Sequence, residues 1–367
     1  MPMSYRFSFG PWNLSEGADP FGPPVRDSFT FTEKLSIAKQ LGFDALQFHD
    51  DDAVPKLDSL TPSEITAQAR AMKQMLTEHG LVAEFVAPRL WESSRTIDGA
   101  YTSNDPVERA YAVDRTIKAV DIANELGCHL MVLWLAREGT YIREAKSVPD
   151  SMQYLVDMIN KLLEYDKQLR ILIEPKPNEP MDQAYIPTVG HGLALGYRTT
   201  DPTRVGILIE TAHQILAGLD PSDEMGFALS FNKLWSVHLN DQSGLKFDED
   251  KSFGEVDLRR AFNQVRVLEE SGYGKNGEFV GLDVKAMRTQ KKNISMKHLA
   301  NSKQTFLWLV EKVRTFDRKL QSELIRQRDY EELDRYVTAH LLGCKYEPSG
   351  PVNLGAGNTP IGSNESA

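Results

Sequence analysis

Cysteine is nearly absent. Only Cys128 and Cys344 occur in 367 residues, far apart and without CxxC spacing, which excludes a disulfide framework and a cysteine-rich metal site. Long apolar runs are missing too: no stretch approaches the ~18 consecutive residues that a membrane-spanning helix needs, so no membrane association is expected. Basic residues are outnumbered, 42 Lys plus Arg against 52 Asp plus Glu, and a net charge of −10 argues against nucleic acid or an anionic lipid surface as partner. The opening MPMSYRFSFG lacks the basic and apolar regions of a secretion signal. With the reduced cysteines, this predicts a cytoplasmic protein. What is present is ordinary globular material, 41% hydrophobic and 26% charged, enough for a large core.

Short runs rich in β-branched and aromatic residues alternate with helix-length patterns. Eight such runs are found, at residues 5–9, 45–48, 83–87, 130–135, 170–173, 206–209, 235–239 and 279–282. Helical periodicity is clearest over 32–41, 62–79, 106–126, 148–165, 257–270 and 301–314. The alternation predicts an α/β fold, a (β/α)8 TIM barrel over residues 1–314 whose functional groups lie just after the strands. Residues 315–348 read as a further helical arm with an apolar stripe suited to another subunit. The Gly-, Ser-, Asn- and Pro-rich stretch 349–367 reads as a flexible tail.

Polar residues collect after the predicted strands. Glu174, Glu210, His238 and Asp283 end four consecutive runs, and three carboxylates with an imidazole at one mouth would be costly to desolvate without a divalent cation. Glu210 and His213 form an E-x-x-H pair, and Asp248 and Asp250 follow on a loop. A second cation could bind Glu210, His213, Asp248 and Asp250, with Glu210 bridging the two. Each pattern alone is common on solvated surfaces; consecutive strand ends make the combination specific. One histidine in each set predicts that Mn²⁺ or Co²⁺ serves at least as well as Mg²⁺.

His49 with Asp52 three residues on has the form of an oriented acid–base pair, though a histidine capping a turn is the plainer alternative. Lys176 stands two residues beyond Glu174, and can either polarise a substrate or merely neutralise the carboxylates. Trp12, Trp91 and Trp134 fall near strand ends, where indoles pack against sugar C–H faces or simply fill the core.

The stretches RFSFGPW, GADPFG, FHDDD, VLWLAREG, IEPKPNEP, ETAHQ, LNDQSGLKFDED, LDVKAMR and AHLLG together resemble the xylose isomerases, most closely their shorter actinobacterial-type class, from about Phe7 to Gly343. The resemblance implies an aldose–ketose isomerase with two divalent metal ions, a small-molecule sugar as substrate and a homodimer or homotetramer. It assigns Glu174, Glu210 and Asp283 to a structural metal, and Glu210, His213, Asp248 and Asp250 to a catalytic one. His49, oriented by Asp52, would open the sugar ring, and Lys176 would hydrogen-bond the carbonyl end. Trp12, Trp91 and Trp134 would wall the pocket, with Phe21 intruding from an adjacent subunit.

Three departures stand out. His238 occupies the place of an aspartate ligand, as in sugar epimerases and lyases of the wider barrel group. VAPRLW replaces small polar residues, so that Arg89 would contact the sugar or favour an acidic substrate. An apparent deletion around residues 323–334 shortens the arm. His238 and Arg89 therefore keep open a second reading, a metal-dependent epimerase or lyase working by proton abstraction on a modified sugar.

Overall fold

The computed structural model describes residues 4–19 and 21–350. The greater part of the predicted flexible tail thus lies outside the described residues. Eight parallel strands close a barrel: β1 (Phe7–Phe9), β2 (Ala45–His49), β3 (Val82–Ala87), β4 (Leu130–Trp134), β5 (Arg170–Glu174), β6 (Val205–Glu210), β7 (Leu234–Leu239) and β8 (Val280–Leu282). Each is followed by one long helix: α1 (Phe31–Gln40), α2 (Pro62–His79), α3 (Pro106–Leu126), α4 (Val148–Tyr165), α5 (Val189–Tyr197), α6 (Pro221–Ser230), α7 (Leu258–Ser271) and α8 (Lys297–Arg314). This is the (β/α)8 fold that the alternation predicts.

Local chemistry sets the helix ends. Thr61 accepts from the Glu64 amide while the Glu64 carboxylate accepts from the Thr61 amide, Pro62 preorganises the first turn, and Gly80 ends α2 at φ 70°. At α3 Asp105 accepts from the Val107 amide, Pro106 opens the first turn and Gly127 ends the helix. Two further turns of helix, Asp50–Ala53 and Thr211–Leu216, begin directly at the ends of β2 and β6 and hold chemistry-bearing residues close to the mouth.

The barrel interior has an apolar layer of Phe85, Ala87, Val132, Leu172 and Leu208. Next to it lies a polar one that periodicity does not reveal. Leu46 pairs with Ala83 but Phe48 pairs with Val86, so β3 carries one extra residue, a bulge. The bulge brings both Glu84 and Phe85 to the interior. The Glu84 carboxylate accepts from Ser8, from Gln47 Nε2 at 3.1 Å and from Ser236 Oγ at 2.8 Å, while the Phe85 ring lies 5.7 Å from that of His238. Gly281 lies opposite His238, and a Cβ there would come within 2.5 Å of Val237 O and of Gln47 Nε2. Only glycine gives the neighbouring strand that approach.

Contact density divides the chain into two compact units, residues 1–310 and 311–367. In the second, α9 (Arg318–Gln327) and α10 (Tyr330–Leu342) pack around Phe316, whose ring lies 4.9 Å from Tyr336 and 5.3 Å from His340.

Asn13, just after β1, ties the barrel closed: its Oδ1 accepts from the Val284 amide at 2.6 Å, and its carbonyl lies 2.9 Å from Nε2 of buried His298. A carbonyl only accepts, so His298 carries its proton on Nε2. Burial, with help from Arg26, pushes its pKa down to about 4 from the ordinary 6.5. Between those values the unfolded chain binds a proton that the native state refuses, so acidification costs up to about 3 kcal/mol of stability. In His298→Gln, denaturant melts from pH 7 to 4 should show a shallower loss of stability than in the parent. Parallel curves would mean that His298 does not titrate on unfolding.

Candidate active site and metal centre

The C-terminal ends of the strands surround a cavity of about 720 Å³. The cavity is lined by Glu174, Glu210, His213, His238, Asp248, Asp250 and Asp283, by Lys176 and His49, and by Trp12, Trp91, Trp134, Arg89 and Phe21. Asp52 stands behind His49. Residues predicted from strand ends spread over some 270 positions are thus brought to one chamber, roughly as barrel geometry requires.

Glu210 is its centre. It belongs to each of three groups whose ligand atoms lie within 4.8 Å of one another: Glu174, Glu210 and His213; Glu210, His238 and Asp283; Glu210, Asp248 and Asp250. His213 is wedged among carboxylates, its Nε2 3.2 Å from both Glu210 Oε1 and Asp248 Oδ2. His238 Nδ1 lies 3.5 Å from Glu174, 3.6 Å from Glu210 and 3.8 Å from Asp283. Burial pushes the Glu210 carboxyl well above its ordinary range, and Asp248 and Asp283 add to the shift. For Asp250, burial and the neighbouring Asp248 raise the pKa to about 8. Burial alone would make His238 less basic, but Glu174, Glu210 and Asp283 reverse that and raise it well above the ordinary value.

Such a cluster is costly to bury with its own charges alone. The donor chemistry fits divalent cations. Among the described residues, His213 Nδ1, both ring nitrogens of His238 and Asp248 Oδ1 are buried without a hydrogen-bond partner, the state expected of atoms shaped for coordination.

Sequence reading missed several supporting groups. Asn240 Nδ2 donates to Glu210 Oε1 at 2.9 Å and to Asp250 at 3.2 Å, while its Oδ1 accepts from the Ala212 amide, fixing the carboxylates from behind. Lys285 pairs with Asp250 at 2.9 Å. Its signal was present: Asp283-Val284-Lys285 repeats the acid-x-Lys spacing of Glu174-Pro175-Lys176. Glu179, at φ 60° beside a cis bond to Pro180, lies 3.4 Å from Lys176 and accepts from the Asp248 amide. Lys176 itself contacts Asp248 at 2.9 Å; burial disfavours its charge, but Asp248 and Glu179 more than restore it. The ammonium therefore persists at neutral pH.

The indoles form one wall: Trp91 meets Trp134 edge-on at 4.6 Å, Trp12 lies 4.2 Å from the His49 ring, and Trp12 Nε1 donates to Asp283 at 2.9 Å. Phe21, 81% exposed, sits 6.0 Å from Phe247 at the rim of its own chain's cavity. Arg89 faces the chamber, but its guanidinium is spent on Asp51 at 2.8 Å, Glu92 at 3.3 Å and Asp52 at 3.4 Å. Its positive charge is thus shared among carboxylates of its own chain at the edge of the chamber.

A family model described as xylose isomerase-like TIM barrel matches residues 35–300. The chain is 33% identical over 317 residues to the xylose isomerase of Thermus thermophilus, covering 85% of this chain and 81% of that protein. Among solved structures, the 3-keto-D-glucoside 4-epimerase of E. coli superposes with a TM-score of 0.59 at 14% identity, over 82% of this chain and 100% of that one. L-ribulose 3-epimerase gives 0.61 at 15% identity, over 88% and 98%. Fold and site define a TIM barrel with a buried cluster of carboxylates and imidazoles at its mouth. The chain belongs to the xylose isomerase-like TIM barrel family.

Glu210→Gln tests the centre directly. Because one residue serves all three groups, the variant should retain less than half of the parent's cation content by elemental analysis. It should also lose the stabilisation of about 2.7 kcal/mol expected when free Mn²⁺ is about 100 times its dissociation constant. A variant that binds and is stabilised like the parent would remove Glu210 from the site.

Proposed function

We propose that this chain is a sugar isomerase that interconverts an aldose and its ketose by moving hydrogen between C1 and C2 as hydride, with two divalent cations. One observation carries the reading: Glu210 is common to every ligand group and stands beside a charged, buried Lys176 under a wall of three indoles. Glu174, Glu210, His238 and Asp283 would hold one cation, and Glu210, His213, Asp248 and Asp250 the other. When bound, the cations supply Lewis-acid polarisation of neighbouring sugar oxygens.

The chain's own groups do the remaining work. Lys176, fixed by Asp248 and Glu179 and lying 5.0 Å from the Trp134 ring centre, donates to the carbonyl end of an open-chain sugar. Trp12, Trp91 and Trp134 cover its C–H faces and exclude water, so hydrogen leaving one carbon goes to its neighbour instead of to solvent. A likeness to the Thermus xylose isomerase supports an isomerase-type sugar enzyme. We take the working assembly to be a homodimer or homotetramer joined through residues 315–348. Among the described residues no helix is long and apolar enough to cross a membrane.

His238 supports a second reading. A neutral donor in place of a carboxylate lowers the negative charge of one site, and two of the structures sharing this fold are named as epimerases. That enzyme would exchange a proton at one carbon. NMR in D₂O, with Mg²⁺, Mn²⁺ and Co²⁺ in turn and a panel of aldoses and ketoses, separates the two. Ketose free of deuterium at C1 is the expected product; conversion with deuterium incorporated would select the epimerase. In His238→Asp, turnover with Mg²⁺ should rise relative to Mn²⁺, whereas an unchanged ratio would show that His238 is not a ligand.

A further inference from the structure

We infer that Arg89, not Asp52, sets the tautomer of His49, so that His49 presents an Nε2–H donor to the cavity and the site takes its sugar in open-chain form. The consequence for substrate rests on the proposed function; the tautomer does not.

Two groups compete for His49 Nδ1. Asp52 Oδ2 lies 3.1 Å away and Arg89 Nη2 2.6 Å. A neutral imidazole nitrogen either donates or accepts, and a guanidinium only donates and keeps its charge. With an Arg89 N–H directed at it, Nδ1 is the acceptor, and the ring proton belongs to Nε2. Asp52 is satisfied without the ring: its Oδ2 accepts from the His49 amide at 3.0 Å and its Oδ1 from Arg89 at 3.4 Å.

Arg89 is held in place to do this. Its Nε donates to Asp51 at 2.8 Å and its amide to Asp50 at 3.1 Å, and buried Asp50 is gripped by Arg115 at 2.9 and 3.0 Å. The His49 ring lies between Trp12, at 4.2 Å, and Trp91, at 5.0 Å, which restrains it from turning over.

Opening a cyclic sugar removes the proton of the anomeric hydroxyl as the ring C–O bond breaks, and delivers a proton to the ring oxygen. A neutral Nε2–H cannot accept the first proton, and surrendering its own would leave an imidazolate. It can hold a substrate oxygen by a hydrogen bond. His49 is then a donor that fixes the chain of an already open sugar, and Arg89 is a positioning residue acting through it.

The test is multiple-bond ¹H–¹⁵N NMR of the labelled full chain, with the His49 signals identified by their loss in His49→Gln. The parent should show Nδ1 in the unprotonated range and Nε2 in the protonated range. Asp52→Asn should leave that pattern intact. Arg89→Met should move the proton to Nδ1, and Arg89→Lys, which keeps a donor, should restore the parent pattern. An Nδ1–H in the parent, or a tautomer that follows Asp52 and ignores Arg89, overturns the assignment. Polarimetry reads the second half. The parent should not accelerate anomerisation of a cyclic aldose, whereas Arg89→Met should; acceleration by the parent overturns the open-chain preference. Failure to turn over any sugar would count against the proposed function and leave the tautomer result standing.

Discussion

Everything at the mouth of this barrel follows from the cost of gathering carboxylates away from water. Glu174, Glu210, Asp248, Asp250 and Asp283 share one chamber with His213 and His238. The fold answers the mutual repulsion at three levels. Imidazoles are inserted between carboxylates, ammonium groups from Lys176 and Lys285 pin Asp248 and Asp250, and Asn240 and Trp12 donate from outside. What remains is a set of buried atoms with no hydrogen-bond partner among the described residues, a donor set that would suit a divalent cation. The same economy fits the apolar strands: Ile171, Ile173, Ile207 and Ile209 are fully buried, and Glu84, a strand carboxylate inside the barrel below the mouth, is met by donors from Ser8, Gln47 and Ser236.

A second, separate charge network surrounds His49. Here Arg89 and Arg115 bind Asp50, Asp51 and Asp52, so that most of the negative charge of the run of three aspartates is offset within its own chain. The two networks meet at Trp12, which stacks near His49 and hydrogen-bonds Asp283. Position at one side of the chamber is therefore coupled mechanically to position at the other.

Much of this was legible in the sequence, because strand ends are identifiable from apolar runs and a barrel maps every one of them to a single rim. The alternation also located six of the eight barrel helices, several with Ser, Thr or Asp caps, but gave no segment for Val189–Tyr197 or Pro221–Ser230. What spacing could not tell was which atom meets which. Lys176 finds Asp248 across 72 positions and Arg89 meets His49 across 40, pairings decided by loop paths. The β3 bulge was invisible for a different reason: period-two reasoning assumes an unbroken pleat, and Glu84 and Phe85 break it together. Gly281 carried no signal until the close approach of Val237 O and Gln47 Nε2 was known.

That bulge also shapes the floor of the chamber. Phe85 lines the upper chamber, while Glu84, its neighbour in the chain, lines a separate hollow of about 700 Å³ at the base of the barrel. One inserted residue thus lays an apolar tile over a hydrogen-bonded plug: a molecule seated in the upper chamber would meet the Phe85 ring as part of its floor, while the Glu84 carboxylate faces the hollow below.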